Sequence, residues 1–147
     1  MKIESDFLVI GSGVAGLMFA LKVAQAGTVA LVTKKGATES NTNYAQGGIA
    51  SVFDAPDSYE AHIEDTLKSG NGLCDPDVVE MVVKGGPDRI RELIDRGVRF
   101  NTKEQEDAAV ADAEKLDLGR EGGHSQNRIV HAHDMTGREV ERALIDQ

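Results

Sequence analysis

The sequence predicts an α/β fold that opens with a parallel βαβ unit, and three short segments carry that prediction. Residues 6–10 (DFLVI) are an apolar run that stops at glycine, which is typical of a strand buried on both faces. Residues 13–26 are rich in Ala, Leu and Met and predict a helix that Gly27 ends. Residues 28–33 (TVALVT) predict a second buried strand. A strand, a helix and a strand in so short a span favour a right-handed crossover between parallel strands.

A long polar loop and two helical segments are predicted next. Residues 34–48 have almost no apolar pattern and predict a loop, and unstructured loops of this length are often functional. Residues 57–69 predict a helix with its apolar side chains on one face. Asp75 is suited to cap a further helix that has Pro76 at its first position. Residues 87–96 carry an apolar stripe at helical spacing and stop at a glycine.

The remaining third of the chain mixes short strands with a final helix. Residues 98–100 and 128–132 are each predicted to form a short strand. Residues 103–117 are acidic and rich in Ala, and predict a solvated helix or a mobile excursion. Thr136 and Glu139 have the spacing of a capping box at the start of the last helix.

Composition and charge argue against two classes of partner. The net charge is −9, only 4% of residues are aromatic and there is no Trp, so neither phosphate attraction nor base stacking supports nucleic-acid binding. No apolar run approaches membrane-spanning length, and the acidic residues near the start do not fit a signal peptide. The single cysteine, Cys74, cannot form an internal disulfide. We therefore expect a cytoplasmic protein.

A glycine fingerprint lies between the first predicted strand and the first predicted helix. It reads GSGVAG, and its members are Gly11, Ser12, Gly13, Val14, Ala15 and Gly16. Gly11 permits a tight turn, Gly13 lets the backbone approach a pyrophosphate, and Gly16 lets the helix pack against the strand. The helix N-terminus then offers free N–H groups and a positive dipole end. This context predicts a Rossmann-like dinucleotide site.

The end of the second strand leaves the identity of the dinucleotide open. An NAD site usually places an acidic residue there to bind a ribose hydroxyl. Here the strand ends in Thr33, Lys34 and Lys35, so a plain NAD site is less natural, and Lys34 beside a phosphate would also suit NADP.

Five stretches along the whole chain resemble aspartate oxidases of the succinate dehydrogenase/fumarate reductase flavoprotein superfamily. They are VIGSGVAGL, TNYAQGGIA, EDTLKSGNGLCD, LIDRGVRF and GREGGHSQNRIVHAHDMTGREV. The resemblance implies a Rossmann-like FAD-binding domain of the glutathione-reductase-like, fumarate reductase flavoprotein type. It also implies that residues 1–147 are the N-terminal part of that domain, without the capping domain and the C-terminal region.

The resemblance implies which residues contact FAD. The pyrophosphate would lie on the glycine fingerprint, and Lys34 would lie near the adenosine half. The isoalloxazine would be lined by the flavin-side loop, which is Asn41, Thr42, Asn43, Tyr44, Ala45, Gln46, Gly47 and Gly48. Dehydrogenases and fumarate reductases usually carry a flavin-tethering His where Asn41 stands, so FAD is expected to be held non-covalently. The alternative interpretation of this segment is an ordinary surface loop.

Glu121 stands in the glycine-rich stretch GREGGHS, which the resemblance places near the flavin and the substrate. Dicarboxylate dehydrogenases have an apolar residue at this position, whereas aspartate oxidases have a glutamate. L-Aspartate differs from succinate by an ammonium group, and a carboxylate facing it would orient the substrate. The alternative is that Glu121 pairs with Arg120 or a solvent cation.

The histidines offer little support for a metal site. His131 and His133 are two residues apart and would share a face of a strand, but no third ligand has a sensible spacing, so no metal is expected. His124 is a weaker candidate for contact with substrate or flavin.

The resemblance implies the FAD-dependent oxidation of L-aspartate to iminoaspartate, with oxygen or fumarate as acceptor, in quinolinate and NAD biosynthesis. It further implies catalytic arginines and histidines beyond this chain, an isolated chain without activity, and channelling of the product to quinolinate synthase. Two alternatives stay open: a succinate dehydrogenase or fumarate reductase flavoprotein, and a non-catalytic nucleotide-binding fragment.

Overall fold

The computed structural model describes residues 2–103 and 113–147. The chain folds into an α/β arrangement with a two-stranded parallel sheet and a three-stranded antiparallel sheet among the described residues. The helices are α1 (Val14–Val23), α2 (Tyr59–Ser69), α3 (Pro76–Asp95) and α4 (Thr136–Ile145). The strands are β1 (Phe7–Ile10), β2 (Val29–Val32), β3 (Ile49–Ala50), β4 (Leu118–Gly119) and β5 (Ile129–Val130).

The predicted βαβ unit is confirmed. Strands β1 and β2 pair in parallel, with Phe7 opposite Val29 and Ile10 opposite Val32, and α1 connects them. The prediction that both strands are buried on both faces is wrong for this chain. Val9 packs beneath α1 and is 6% exposed, whereas Ile10 on the opposite face is 82% exposed because no described element covers that side.

The antiparallel sheet joins segments that are far apart in sequence. Its order is β3-β5-β4, with Ile49 and Leu118 both opposite Val130. The sequence predicted only β5, and within longer bounds. β3 and β4 have two residues each, which is too short to show an alternating pattern. This sheet brings the end of the flavin-side loop beside the segment that carries Glu121.

Two predicted helical segments are one helix. The segment capped by Asp75 and the segment at 87–96 form α3, which continues through Gly85, Gly86 and Pro87. Asp75 is the N-cap and accepts hydrogen bonds from the N–H groups of Asp77 and Val78, at 3.0 and 3.4 Å. The predicted stop after α3 is also correct, since Gly97 has a φ of +86°.

Three local predictions differ from the structure. Residues 98–100 are not a strand but an irregular segment whose Val98 and Phe100 enter the core. Most of the predicted helix at 103–117 lies outside the described residues, and its described end is a single 3-10 turn at Ala113–Lys115. The capping box at Thr136 is absent.

The Thr136 hydroxyl instead accepts the N–H of Ala132 at 3.0 Å, because Met135 is the N-cap of α4. The carboxylate of Glu139 accepts the N–H of Arg99 at 2.9 Å, so it does not bond back to its own helix start.

One hydrophobic core connects α1, α3 and α4 with β5. Its buried members are Leu17, Ile90, Leu93, Ile94, Val98, Phe100, Leu116, Val130, Ala132, Val140, Ala143 and Leu144. The predicted apolar stripes of α3 and α4 both face this core. In the part of the chain that the structure describes, no helix is both long and apolar enough to cross a membrane.

Candidate functional site

The glycine fingerprint forms a tight turn between β1 and α1. Gly11 has a φ of +105°, a left-handed conformation that favours glycine, and its N–H donates to the Val32 carbonyl at 2.8 Å. A Cβ added to Gly16 would overlap the carbonyl oxygen of Gly11, so the first turn of α1 lies directly on the strand end. Ser12 is buried and its hydroxyl donates to Thr33 at 3.3 Å. These contacts fix the direction in which α1 points its N-terminus.

The flavin-side loop folds against that N-terminus. The hydroxyl of Thr42 accepts the N–H of Val14 at 3.0 Å, and a Cβ on Gly13 would lie 3.3 Å from the same oxygen. The two segments predicted to bind the cofactor are therefore adjacent, although they are about 28 residues apart in sequence. Lys34 is exposed after β2 and forms no hydrogen bond with any described residue.

Helix α4 packs against the flavin-side loop and supports it. The N–H of Gly137 donates to the Ala45 carbonyl at 3.1 Å, and a Cβ on Gly137 would overlap the Thr42 carbonyl. The Ser40 hydroxyl donates to the carboxylate of Glu141 at 2.6 Å, and Glu141 is 1% exposed. Sequence reasoning missed Ser40, Gly137 and Glu141. The signal available in the sequence was Glu141, a glutamate on the apolar side of the helix that became α4.

The carboxylate of Glu121 reaches the flavin-side loop. Its Oε1 accepts the N–H of Gly48 at 3.2 Å and lies 3.4 Å from the position of a Cβ on Gly47. A Cβ on Gly48 would overlap the Ile129 side chain, so only glycine fits here. Glu121 itself is exposed, and the structure records no ion pair between it and Arg120 among the described contacts. The alternative interpretation, in which Glu121 pairs with Arg120, is therefore not seen among the described residues.

Glu121 lies at the edge of an open cleft of about 580 Å³. The cleft is bounded on one side by Gln46, Gly47 and Gly48 and on the other by Arg120, Glu121, His131, His133 and Asp134. It therefore contains the end of the predicted isoalloxazine segment and the predicted amine-binding carboxylate, together with further charged and polar groups.

The spacing of the two histidines in the cleft predicted that they share a face of a strand. In the structure they do not. Strand β5 ends at Val130, and His133 has a φ of +47°, which turns the backbone away from the sheet. His131 lies 3.7 Å from the Asp117 carboxylate. Among the described residues, no group of three His, Cys, Asp or Glu side chains is arranged to hold a metal ion.

A buried ionic cluster, which sequence reasoning missed, anchors the segment after Glu121. Arg128 is 0% exposed and donates to both oxygens of Asp57, through Nε at 2.9 Å and Nη2 at 2.7 Å. Its Nη1 donates to Asp65 of α2 at 2.7 Å. A full charge in the apolar run RIVHA was the signal for such a cluster, because a buried arginine requires partners.

His124 belongs to this cluster and does not face the cleft. Its Nδ1 lies 3.2 Å from Nη1 of Arg128, and its ring packs against that of His62 at 5.6 Å. Burial, followed by the charge of Arg128, lowers the pKa of His62 below its usual value, so this imidazole is neutral near pH 7. The weaker prediction that His124 contacts substrate or flavin therefore receives no geometric support.

The residues present fit a dinucleotide with a pyrophosphate. Helix α1 has no acidic residue in its first turn, so no carboxylate neutralises its positive end, although the Thr42 hydroxyl accepts the N–H of Val14. A Cβ on Gly11 would meet no atom within 4 Å, so the backbone of the turn is open at that position, whereas the Thr42 hydroxyl lies 3.3 Å from the position of a Cβ on Gly13. The flavin-side loop, which is largely exposed from Tyr44 to Gly47, extends this surface towards Glu121.

Comparison with known proteins agrees with this geometry. The FAD binding domain family matches residues 6–147. An L-aspartate oxidase of Nicotiana tabacum is 55% identical over 141 residues, which cover 96% of this chain and 21% of the tobacco protein. The L-aspartate oxidase of Vibrio cholerae is 47% identical over 143 residues, covering 97% of this chain and 26% of that protein. The chain thus spans about a fifth to a quarter of the length of these relatives.

Solved structures show the same fold. A quinol fumarate reductase of E. coli superposes with a TM-score of 0.86 at 31% identity, covering 99% of this chain and 24% of that one. Sdh1 of Mycobacterium smegmatis superposes with a TM-score of 0.83 at 31% identity, covering 95% of this chain and 23% of that one. The match to the FAD binding domain family identifies FAD as the dinucleotide whose identity the sequence left open. The chain belongs to the FAD binding domain family, within the succinate dehydrogenase/fumarate reductase flavoprotein superfamily.

Proposed function

We propose that this chain is the N-terminal part of the FAD-binding domain of an enzyme that oxidises L-aspartate to iminoaspartate, with oxygen or fumarate as acceptor. Its relatives at 55% and 47% identity are named L-aspartate oxidases, which supports this substrate over a dicarboxylate. Bound FAD supplies the acceptor for the two electrons removed from the substrate.

The position of Glu121 carries the proposal. One carboxylate oxygen is held by the Gly48 N–H at 3.2 Å, and the other forms no hydrogen bond to any described residue. The free oxygen is available to a substrate ammonium group at the edge of the cleft. A carboxylate there attracts an amino acid and disfavours a dicarboxylate that lacks the amine. We assign Glu121 the role of orienting the substrate amine.

The glycine fingerprint and the flavin-side loop form the cofactor-binding surface in this proposal. The N–H groups at the start of α1 would bind the pyrophosphate, and Lys34 would lie near the adenosine half. Asn41 has a carboxamide where a tethering histidine would stand, so the flavin is held non-covalently. The turn at Gly11 and the contact of Thr42 with Val14 support this assignment.

Substrate carboxylates need bidentate arginine clamps, which we place outside these 147 residues together with the catalytic histidines. The 147-residue chain by itself is then expected to be inactive. The product of the whole enzyme would enter quinolinate and NAD biosynthesis, and the proposal includes channelling of that product to quinolinate synthase. A cytoplasmic location likewise remains a prediction, since the tobacco relative is named a chloroplastic protein.

A succinate dehydrogenase or fumarate reductase flavoprotein is the second candidate, favoured by the TM-score of 0.86 to the E. coli quinol fumarate reductase. Glu121 and Asn41 both argue against it. A substrate panel on the natural, FAD-loaded protein that contains this chain separates the two. We expect oxidation of L-aspartate in preference to succinate; succinate oxidation without aspartate oxidation would overturn the proposal.

The inactivity of the isolated chain has its own test. A pure preparation of the 147-residue chain with added FAD is expected to form no peroxide on addition of L-aspartate. Aspartate-dependent peroxide from that preparation would show that the catalytic groups lie within this chain.

A further inference from the structure

The turn that carries Glu121 lies against helix α2. Gly123 has a φ of +87°, and a Cβ there would lie 2.9 Å from the Ser69 hydroxyl of α2. The N–H of His124 donates to the Glu121 carbonyl at 3.3 Å, which closes the turn. Glu121 is exposed, so packing of its own side chain does not fix its position. Besides the hydrogen bond from the N–H of Gly48, the position of its carboxylate depends on what holds this turn.

Asp65 of α2 holds the far end of the turn. Its Oδ2 accepts the N–H of Ser125 at 2.7 Å and the Ser125 hydroxyl at 2.7 Å. The same oxygen accepts Nη1 of Arg128 at 2.7 Å. This one carboxylate oxygen therefore holds the segment after Glu121 at two positions, Ser125 and Arg128.

The bond from Arg128 forms in a largely desolvated setting, where it is stronger than a surface contact, whereas the two bonds from Ser125 lie at the surface. The Asp65 side chain is 15% exposed and that of Arg128 is 0% exposed. Arg128 is in turn fixed by Asp57, so the anchor cannot rotate away without leaving a buried charge unpaired. At the other end, β4 fixes the segment through its pairing with β5. Residues 120–124, which include Glu121, lie between these two anchors.

We propose that Asp65 and Ser125 are positioning residues that set the specificity for an amino-acid substrate by holding Glu121 at the cleft. This inference rests on the proposed function, because it assigns Glu121 the role of binding the substrate amine. Asp65 touches neither the cleft nor the cofactor surface, and it acts through the turn. Its loss is expected to weaken amine recognition while leaving recognition of the substrate carboxylates intact.

The test uses the natural FAD-loaded protein with the variants Asp65→Asn and Ser125→Ala. For Asp65→Asn we expect the KM for L-aspartate to rise about tenfold, the scale of losing charge-assisted hydrogen bonds, with kcat changed less than about twofold. The Ki of succinate, a dicarboxylate without the amine, should stay unchanged. A merely structural role would instead lower FAD content and weaken both ligands together.

Ser125→Ala provides the second variant should Asp65→Asn fold poorly, since Ser125 is exposed and the change removes one hydroxyl. Its expected effect is a KM increase of about threefold, the scale of one hydrogen bond at the surface, and Ser125→Thr should keep the original value. Glu80→Gln is the matched control, because it removes an exposed ion pair with Lys84 on α3 away from the turn.

The outcomes separate this inference from the proposed function. If Glu121→Gln raises the KM for L-aspartate but Ser125→Ala and a folded Asp65→Asn do not, the positioning role is wrong and the amine-binding role stands. If the unaltered protein does not oxidise L-aspartate at all, the proposed function is wrong. Equal weakening of L-aspartate and succinate in either anchor variant would also overturn the positioning role.

Discussion

The carboxylate of Glu121 accepts a hydrogen bond from the N–H of Gly48 at 3.2 Å, across 73 residues of sequence. This contact joins the end of the flavin-side loop to the turn after β4. It depends on glycine at position 48, where a side chain would overlap Ile129. The contact therefore places a single carboxylate between the predicted flavin surface and the open cleft.

Gly16→Ala is expected to abolish FAD binding by the natural protein. The added Cβ would overlap the Gly11 carbonyl, and backbone cannot move away as a flexible side chain can. The start of α1 must then shift from the pyrophosphate position. The measurement is the flavin content of the purified protein, followed by titration with FAD. Gly36→Ala is the matched control, since nothing lies within 4 Å of its added Cβ, and normal flavin content in Gly16→Ala would contradict the prediction.

Gly85→Ala is expected to raise the free energy of unfolding by about 0.5–1 kcal/mol, the difference in helix propensity between the two residues. Gly85 lies inside α3, and its added Cβ meets no atom within 4 Å. Denaturant unfolding measures the change. Gly86→Ala is the control, because its Cβ would lie 3.0 Å from the Ser51 hydroxyl and the gain should be lost. Equal stabilisation by both variants would show that this contact does not matter.

Arg128→Gln is expected to destabilise the fold by about 3–5 kcal/mol, because it leaves buried carboxylates without their partner. Asp57, whose side chain is 2% exposed, loses both of its hydrogen bonds from Arg128. Thermal and denaturant unfolding should both report the loss. Arg91→Gln removes an exposed ion pair with Asp88 and should change stability by less than about 1 kcal/mol. A loss at Arg128 no larger than that at Arg91 would contradict the structural role of the cluster.

The stability of the protein should depend on the ionisation of Asp65. Hydrogen bonds from the Ser125 backbone and hydroxyl, followed by Arg128, hold the pKa of Asp65 at about 2, below its usual 3.8. Because this carboxyl has the higher pKa in the unfolded chain, the unfolded chain binds the proton more readily than the folded protein does. The stabilisation by ionised Asp65 is therefore complete above pH 3.8 and is lost as the pH falls to about 2.

The difference in the free energy of unfolding between the original protein and Asp65→Asn should therefore shrink across that window. NMR titration of the carboxyl gives a second measurement, and Ser125→Ala should raise the pKa of Asp65 because one donor is gone. A pKa for Asp65 that stays at its usual value in the folded protein would contradict this account.

Local features of this fold followed from the sequence. The βαβ unit, the Asp75 cap with Pro76 and the stop at Gly97 depend on neighbouring residues, so short patterns predicted them. The exposed face of β1 did not follow from the sequence, because an apolar run predicts burial and cannot show whether a covering element is present. The prediction of a capping box was wrong because the Glu139 carboxylate accepts a hydrogen bond from the N–H of Arg99, which is 40 residues away in the sequence.

The sequence supplied candidate residues for the site but not the contacts between them. The family resemblance indicated Glu121 and the flavin-side loop, and the structure brings them together through β3, β5 and β4. The contact with Gly48 and the anchor of Asp65 on Ser125 depend on long-range pairing that no local pattern shows. His131 was expected on a strand, yet β5 ends one residue before it.

The most direct test of the account is the KM for L-aspartate of Glu121→Gln in the natural FAD-loaded protein, with the Ki of succinate measured alongside. We expect the KM to rise about tenfold or more, since a charge-assisted contact to the ammonium is lost, while succinate binds at least as tightly as before. An unchanged KM for L-aspartate, with normal flavin content, would contradict the assignment of Glu121 as the group that recognises the substrate amine.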